Sequence, residues 1–121
     1  MKHFFCLFLM SFIFSNCTAQ KEINSISTLE LKVLLEKETI QLLDVRTPKE
    51  VKEGFIETAF FNNYFETDFT KKVLQTFDKS KPIYVYCRSG NRSGKSAVIL
   101  QEKGFDVYNV IGGYQQWRKE N

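Results

Sequence analysis

Cys87 is followed by Arg88-Ser89-Gly90-Asn91-Arg92-Ser93, which sets one thiol among two fixed cations, a glycine and three small polar residues. The residues before it, Ile83-Tyr84-Val85-Tyr86, read as a buried strand, and Ser93 to Lys103 as a helix closed by Gly104. A strand that runs through such a loop into a helix puts the thiol at the helix N-terminus, where free backbone N–H groups favour an anion. Gly90 can take the left-handed conformation that lets successive amides converge. A free thiol has a pKa of about 8.5, and helix-terminal amides and neighbouring arginines lower it. The pattern therefore predicts an activated thiolate at Cys87. The competing reading is an inert cysteine ending a core strand; the two arginines, the glycine and the helix start weigh against it. Asp44, Arg46 and Glu50 form a second polar group. An arginine within reach of two carboxylates reads as a structural ion pair that fixes a loop near the site, not as a catalytic group.

These residues need a scaffold, and the rest of the chain alternates strand and helix signals. Ile23 to Ile26 is a short strand candidate. Ser27 or Thr28 caps a helix with Leu29, Val33 and Leu34 on one face. Ile40 to Val45 is a compact apolar run suited to a buried parallel strand. Thr47 caps a short helix with Pro48 in its first position, and Gly54 ends it. Ala59-Phe60-Phe61 reads as a weak strand, Thr67 to Phe77 as a helix, Val107 to Val110 as a last strand, and Gly112-Gly113 as a turn into a helix through Trp117. This order predicts an α/β fold, a central parallel sheet with helices on both faces, as a single domain over residues 21–121. Active sites in such sheets lie beyond the carboxyl ends of strands, which brings Asp44 to Arg46 and Cys87 to Arg92 to one edge.

The chain has 121 residues, 43% hydrophobic and 26% charged, a composition that excludes disorder and fibrous repeats and fits one compact domain. A net charge of +3 is too mild for a dedicated nucleic-acid binder, so no nucleic-acid partner is expected. Residues 1–20 read as a signal peptide. Lys2 and His3 precede an 11-residue run, Phe4 to Phe14, that is apolar except for Ser11, and small and polar residues follow. As a helix that run reaches about 16 Å against roughly 30 Å of bilayer hydrocarbon, so a membrane span is not expected. Cleavage after Ala19 and lipidation at Cys17 are both open. The expected location is therefore outside the cytoplasm, periplasmic or as a membrane-anchored lipoprotein.

Processing would remove the only histidine and leave Cys87 as the single free thiol, so no internal disulfide can form. Lys+Arg would fall from 17 to 16 against 14 acids, a net charge of +2. Without an imidazole, Ser-His-Asp and Cys-His mechanisms are excluded. There is no Cys-x-x-Cys, EF-hand or Walker A pattern, and no metal site is expected.

Three motifs in order resemble the signatures of the rhodanese-like domain family across about residues 25–119. They are Asp44-Val45-Arg46 with Glu50 and Gly54, the loop Cys87 to Ser93, and Val110-Ile111-Gly112-Gly113 with Trp117. Phe55 stands where the family often has His, and Thr58 where a Gly is usual. The resemblance implies a small α/β fold and a cysteine that carries a transferable sulfur as a persulfide. By position that catalytic residue is Cys87, with Arg88, Ser89, Gly90, Asn91, Arg92 and Ser93 as the substrate-binding cradle. Four residues lie between Cys87 and Arg92. Cysteine phosphatases place one more there, which widens the cradle for phosphate. Family members that use mercaptopyruvate carry small neutral residues where Arg88 stands, so a cationic loop fits thiosulfate or another anionic donor better.

The expected function is that of a single-domain exported sulfurtransferase. Cys87 takes a sulfane sulfur from an anionic donor and yields it to a thiol or cyanide acceptor, with a protein acceptor as a further option. This is covalent catalysis that needs no cofactor or metal. Two alternatives remain: a phosphatase or arsenate reductase on the same fold, and a non-catalytic sulfur-carrier or interaction module.

Overall fold

The structure, a computed structural model, describes residues 22–121, so the expected signal peptide and Cys17 lie outside the described residues. Its elements are β1 (Asn24–Ser27), α1 (Thr28–Lys37), β2 (Gln41–Asp44), α2 (Pro48–Lys52), β3 (Phe60–Phe61), α3 (Phe69–Thr76), β4 (Ile83–Tyr86), α4 (Asn91–Glu102), β5 (Val107–Ile111) and α5 (Gly113–Glu120). The strands form one parallel sheet in the order β1-β5-β4-β2-β3. The central strands β4 and β2 pair with Asp44 beside Tyr86, so the segments that follow them leave the sheet side by side.

Side chains alternate across the sheet, as the two-residue period of a strand requires. On one face Leu43, Val85 and Val107 pack with Phe69 and Val73 of α3 and with Ala97 and Leu100 of α4. On the other, Leu42, Tyr86 and Val110 pack with Leu31 of α1 and with Tyr114 and Trp117 of α5. The predicted parallel sheet with helices on both faces is therefore present. Among the described residues no helix is long and apolar enough to cross a membrane.

Two local expectations need correction. Leu29 and Val33 do not face the core: they are 63% and 49% exposed. Ser27 caps α1 through its side chain, accepting the Glu30 N–H. That start turns Thr28, Leu31, Leu34 and Leu35 toward the sheet and leaves Leu29 about 100° further round. Helix α4 begins at Asn91, not Ser93. Gly90, at φ 109°, reverses the chain two residues earlier, so Arg92 and Ser93 already lie in the first turn.

Thr58 holds φ 71°, the left-handed region, and is the only non-glycine residue among those described to do so. A β-branched side chain there is strained by about 1–2 kcal/mol. Thr58→Gly removes the clash at some entropic cost to folding. It is expected to raise Tm by a few degrees for a domain of this size. An unchanged or lower Tm in a thermal melt would show that the turn holds no such strain.

Candidate active site

Cys87 follows the last residue of β4 and is 1% exposed. Its sulfur accepts the Gly90 N–H at 3.1 Å and the Ser93 hydroxyl at 3.3 Å. Burial pushes the thiol pKa up. Hydrogen bonds from the Ser93 hydroxyl and from the amides of Ser93, Gly90 and Ser89 outweigh that, and the net value falls below the ordinary thiol range. The loop is thus an anion cradle of converging donors, made possible by the left-handed Gly90. Ser89 and Asn91 lie exposed at its outer rim, Arg88 points its charge to solvent, and Ser93 is fully buried beneath the sulfur.

One of the two loop arginines is paired with a carboxylate. Arg92 spends its guanidinium on Glu50, with Nη1 donating to Oε1 at 2.7 Å and Nη2 to Oε2 at 2.8 Å. This pair, together with hydrogen bonds from Thr47, outweighs partial burial and holds the Glu50 carboxyl at about 2. Arg92 is therefore paired, and the fall in the thiol pKa comes chiefly from hydrogen bonds, with Arg92 still coupled to the sulfur by charge.

The expected trio of Asp44, Arg46 and Glu50 is also divided differently. Arg46 donates through Nε to Asp44 Oδ1 at 3.0 Å and through Nη2 to Oδ2 at 2.7 Å, with both residues buried. Nη2 also reaches the Gly54 carbonyl at 2.8 Å, and the guanidinium lies over the Tyr114 ring at 4.3 Å. Arg46 meets Glu50 only at its backbone carbonyl, at 3.5 Å. The reason is local. Thr47 and Glu50 form a capping box on α2, which fixes the Glu50 carboxylate on the side where Arg92 arrives.

Two supports escaped the sequence reading. Asn109 on β5 donates through Nδ2 to the Gly90 carbonyl at 3.2 Å and so pins the cradle's turning residue from the neighbouring strand. The first turn of α5 binds the loop's backbone: the Tyr114 N–H donates to Cys87 O at 2.8 Å and the Gln115 N–H to Arg88 O at 3.0 Å. The Gly112-Gly113 pair was the available signal for the second. An asparagine within a strand carried none.

Ser93→Ala is expected to raise the thiol pKa. It removes one hydrogen bond to the charged form, worth about 1.5–3 kcal/mol, so the midpoint should climb by one pH unit or more. Rates of iodoacetamide alkylation against pH report it directly, and an unmoved midpoint would rule out the hydroxyl as a stabiliser.

The sequence model of the rhodanese-like domain family matches residues 27–120. YtwF of Bacillus subtilis is 39% identical over 100 residues, covering 82% of this chain and 94% of its own length. The thiosulfate sulfurtransferase GlpE of Coxiella burnetii is 36% identical over 94 residues, covering 77% of this chain and 85% of its own. The crystal structure of a rhodanese-like domain protein from Staphylococcus aureus superposes with a TM-score of 0.71 at 38% identity, over 78% of this chain and 91% of that one.

Proposed function

The chain belongs to the rhodanese-like domain family, and from that premise we propose that it is a sulfurtransferase working through a Cys87 persulfide. The donor is anionic, of the thiosulfate kind. The Cys87 thiolate attacks the outer sulfur of the donor, the donor's sulfur–sulfur bond breaks, and sulfite leaves with the electron pair. The acceptor, a thiolate or cyanide, then attacks the outer sulfur of the persulfide, and the Cys87 thiolate is the leaving group. No net oxidant or reductant is consumed.

The observation that carries this reading is the ring of donors around Sγ in a four-residue loop. It suits one thiolate or one bound sulfur, and the loop is one residue shorter than the cysteine-phosphatase spacing. The name of the Coxiella burnetii relative supports the same donor class. Residues 1–20, on their sequence, support export of the domain; the N-terminus of protein recovered from its native host, intact, cut after Ala19 or lipidated at Cys17, tests that.

The test of function is the intact mass of protein treated with thiosulfate, followed by cyanide. A species heavier by one sulfur atom, discharged by cyanide and regenerated in steady turnover, is the expected result. A stable adduct without turnover would favour the carrier reading. Steady hydrolysis of an aryl phosphate that is lost on changing Cys87 would favour the phosphatase.

Arg88 is exposed and among the described residues makes no ion pair. Arg88→Ala is expected to raise KM for thiosulfate with less effect on kcat, the pattern of lost uniform binding. The difference should shrink as salt rises, since exposed charges are screened within about 10 Å at 0.1 M. An unchanged KM at low salt would remove the case for an anionic donor.

A further inference from the structure

A cleft of about 710 Å³ opens beside the thiol loop between α2 and α5, with Arg88 on its wall. Its polar lining is unevenly charged. Arg46 is neutralised by Asp44, and Glu50 by Arg92. What remains is Lys49 from α2, Arg88 from the loop, and Arg118 and Lys119 from α5, against the single carboxylate of Glu53. All five are exposed, and among the described residues none of the four cations has a salt-bridge partner. Compensation of helix dipoles accounts for Arg118 and Lys119 in the last turn of α5 and for Lys49 in the single turn of α2, but not for Arg88 in the loop.

The cleft meets the thiol loop at Arg88, the residue next to Cys87. The α5 wall is bonded to the Cys87 and Arg88 carbonyls, and Glu50 on the α2 side holds Arg92. The positive charge also extends along α5. Arg118 lies five residues beyond Gly113, about 7.5 Å along the helix. Four cations spread over α2, the loop and α5 suit an elongated occupant with several negative charges better than one small dianion.

We propose that this cleft docks an acidic peptide segment of a protein sulfur acceptor, whose cysteine lies within about three residues of a run of carboxylates. The inference rests on the sulfurtransferase reading. The acceptor thiolate attacks the outer sulfur of the Cys87 persulfide, that sulfur–sulfur bond breaks, Cys87 leaves as thiolate, and the acceptor becomes the persulfide.

The test uses persulfide-loaded protein and three peptides of equal length, each with one cysteine followed by glutamates, serines or lysines. Discharge to the glutamate peptide is expected to exceed the serine peptide by about tenfold in kcat/KM at low salt, and the lysine peptide to be poorest. The preference should vanish in Arg118→Glu/Lys119→Glu and at high salt. Equal rates for the three peptides would overturn the proposal. So would mercaptosuccinate matching the glutamate peptide with the same dependence on Arg118 and Lys119, which would make the occupant a small dicarboxylate. Fluorescence anisotropy of a labelled glutamate peptide, with serine in place of its cysteine, separates docking from chemistry. Binding that needs Arg118 and Lys119 supports the docking surface even if sulfur transfer fails, whereas active transfer with no such binding refutes it.

Discussion

Cys87→Ser is expected to reduce sulfur transfer below about one per cent of wild type, a barrier increase of at least about 2.7 kcal/mol. The fold should survive. The position is buried, and a serine oxygen can still accept from the Gly90 N–H and the Ser93 hydroxyl. What is lost is the nucleophile itself: an alkoxide is far harder to form at neutral pH than this thiolate, and no other cysteine exists among the described residues. Thiosulfate and cyanide turnover reads the activity, and circular dichroism with a thermal melt reads the fold. Transfer well above one per cent in a folded variant would mean that Cys87 is not the covalent carrier.

The parts of this site legible in the sequence are those fixed by neighbours along the chain. Strand β4 occupies the predicted Ile83–Tyr86 because four apolar residues stand between Pro82 and the cysteine. Thr47 and Pro48 announce the start of α2. The strand-loop-helix order was enough to expect a cradle around Sγ. The unread parts join segments distant in sequence. Glu50 finds Arg92 across 42 residues and Asn109 finds Gly90 across 19, contacts set by strand order and not by any local pattern. The face of α1 differs from the expected one because two apolar residues on that helix, Leu29 and Val33, are exposed, which blurs its periodicity. The thiol's environment is legible only in part for a related reason. Two arginines close in sequence imply two free charges, and only the fold shows that one of them is spent on a carboxylate.

The second large effect is expected at Gly113. A methyl group there would stand 2.5 Å from the Cys87 carbonyl oxygen and 2.7 Å from the carbonyl carbon and oxygen of Arg88. Those atoms are backbone, so no side chain can swing aside. Gly113 also holds φ 57°, which an L side chain adopts only with strain. In Gly113→Ala the first turn of α5 must retreat, and the bonds from the Tyr114 and Gln115 amides to the loop lengthen or break. Those bonds fix the carbonyls of Cys87 and Arg88, so the sulfur moves relative to its amide cradle. Misplacement of about 1 Å can cost a hundredfold in rate. Sulfur transfer is expected to fall at least tenfold, with a lower Tm and a thiol pKa shifted back toward its ordinary value as the hydrogen bonds weaken. Gly94→Ala provides the contrast. Gly94 lies in α4 without a left-handed φ, and a methyl there would meet only Asn109 Nδ2 at 3.4 Å. Alanine's helix preference should offset that contact and leave Tm unchanged or raised. Melts, alkylation against pH and sulfur transfer on both variants decide the matter. A Gly113→Ala protein with wild-type rate and Tm would show that the contact between α5 and the loop does not position the nucleophile.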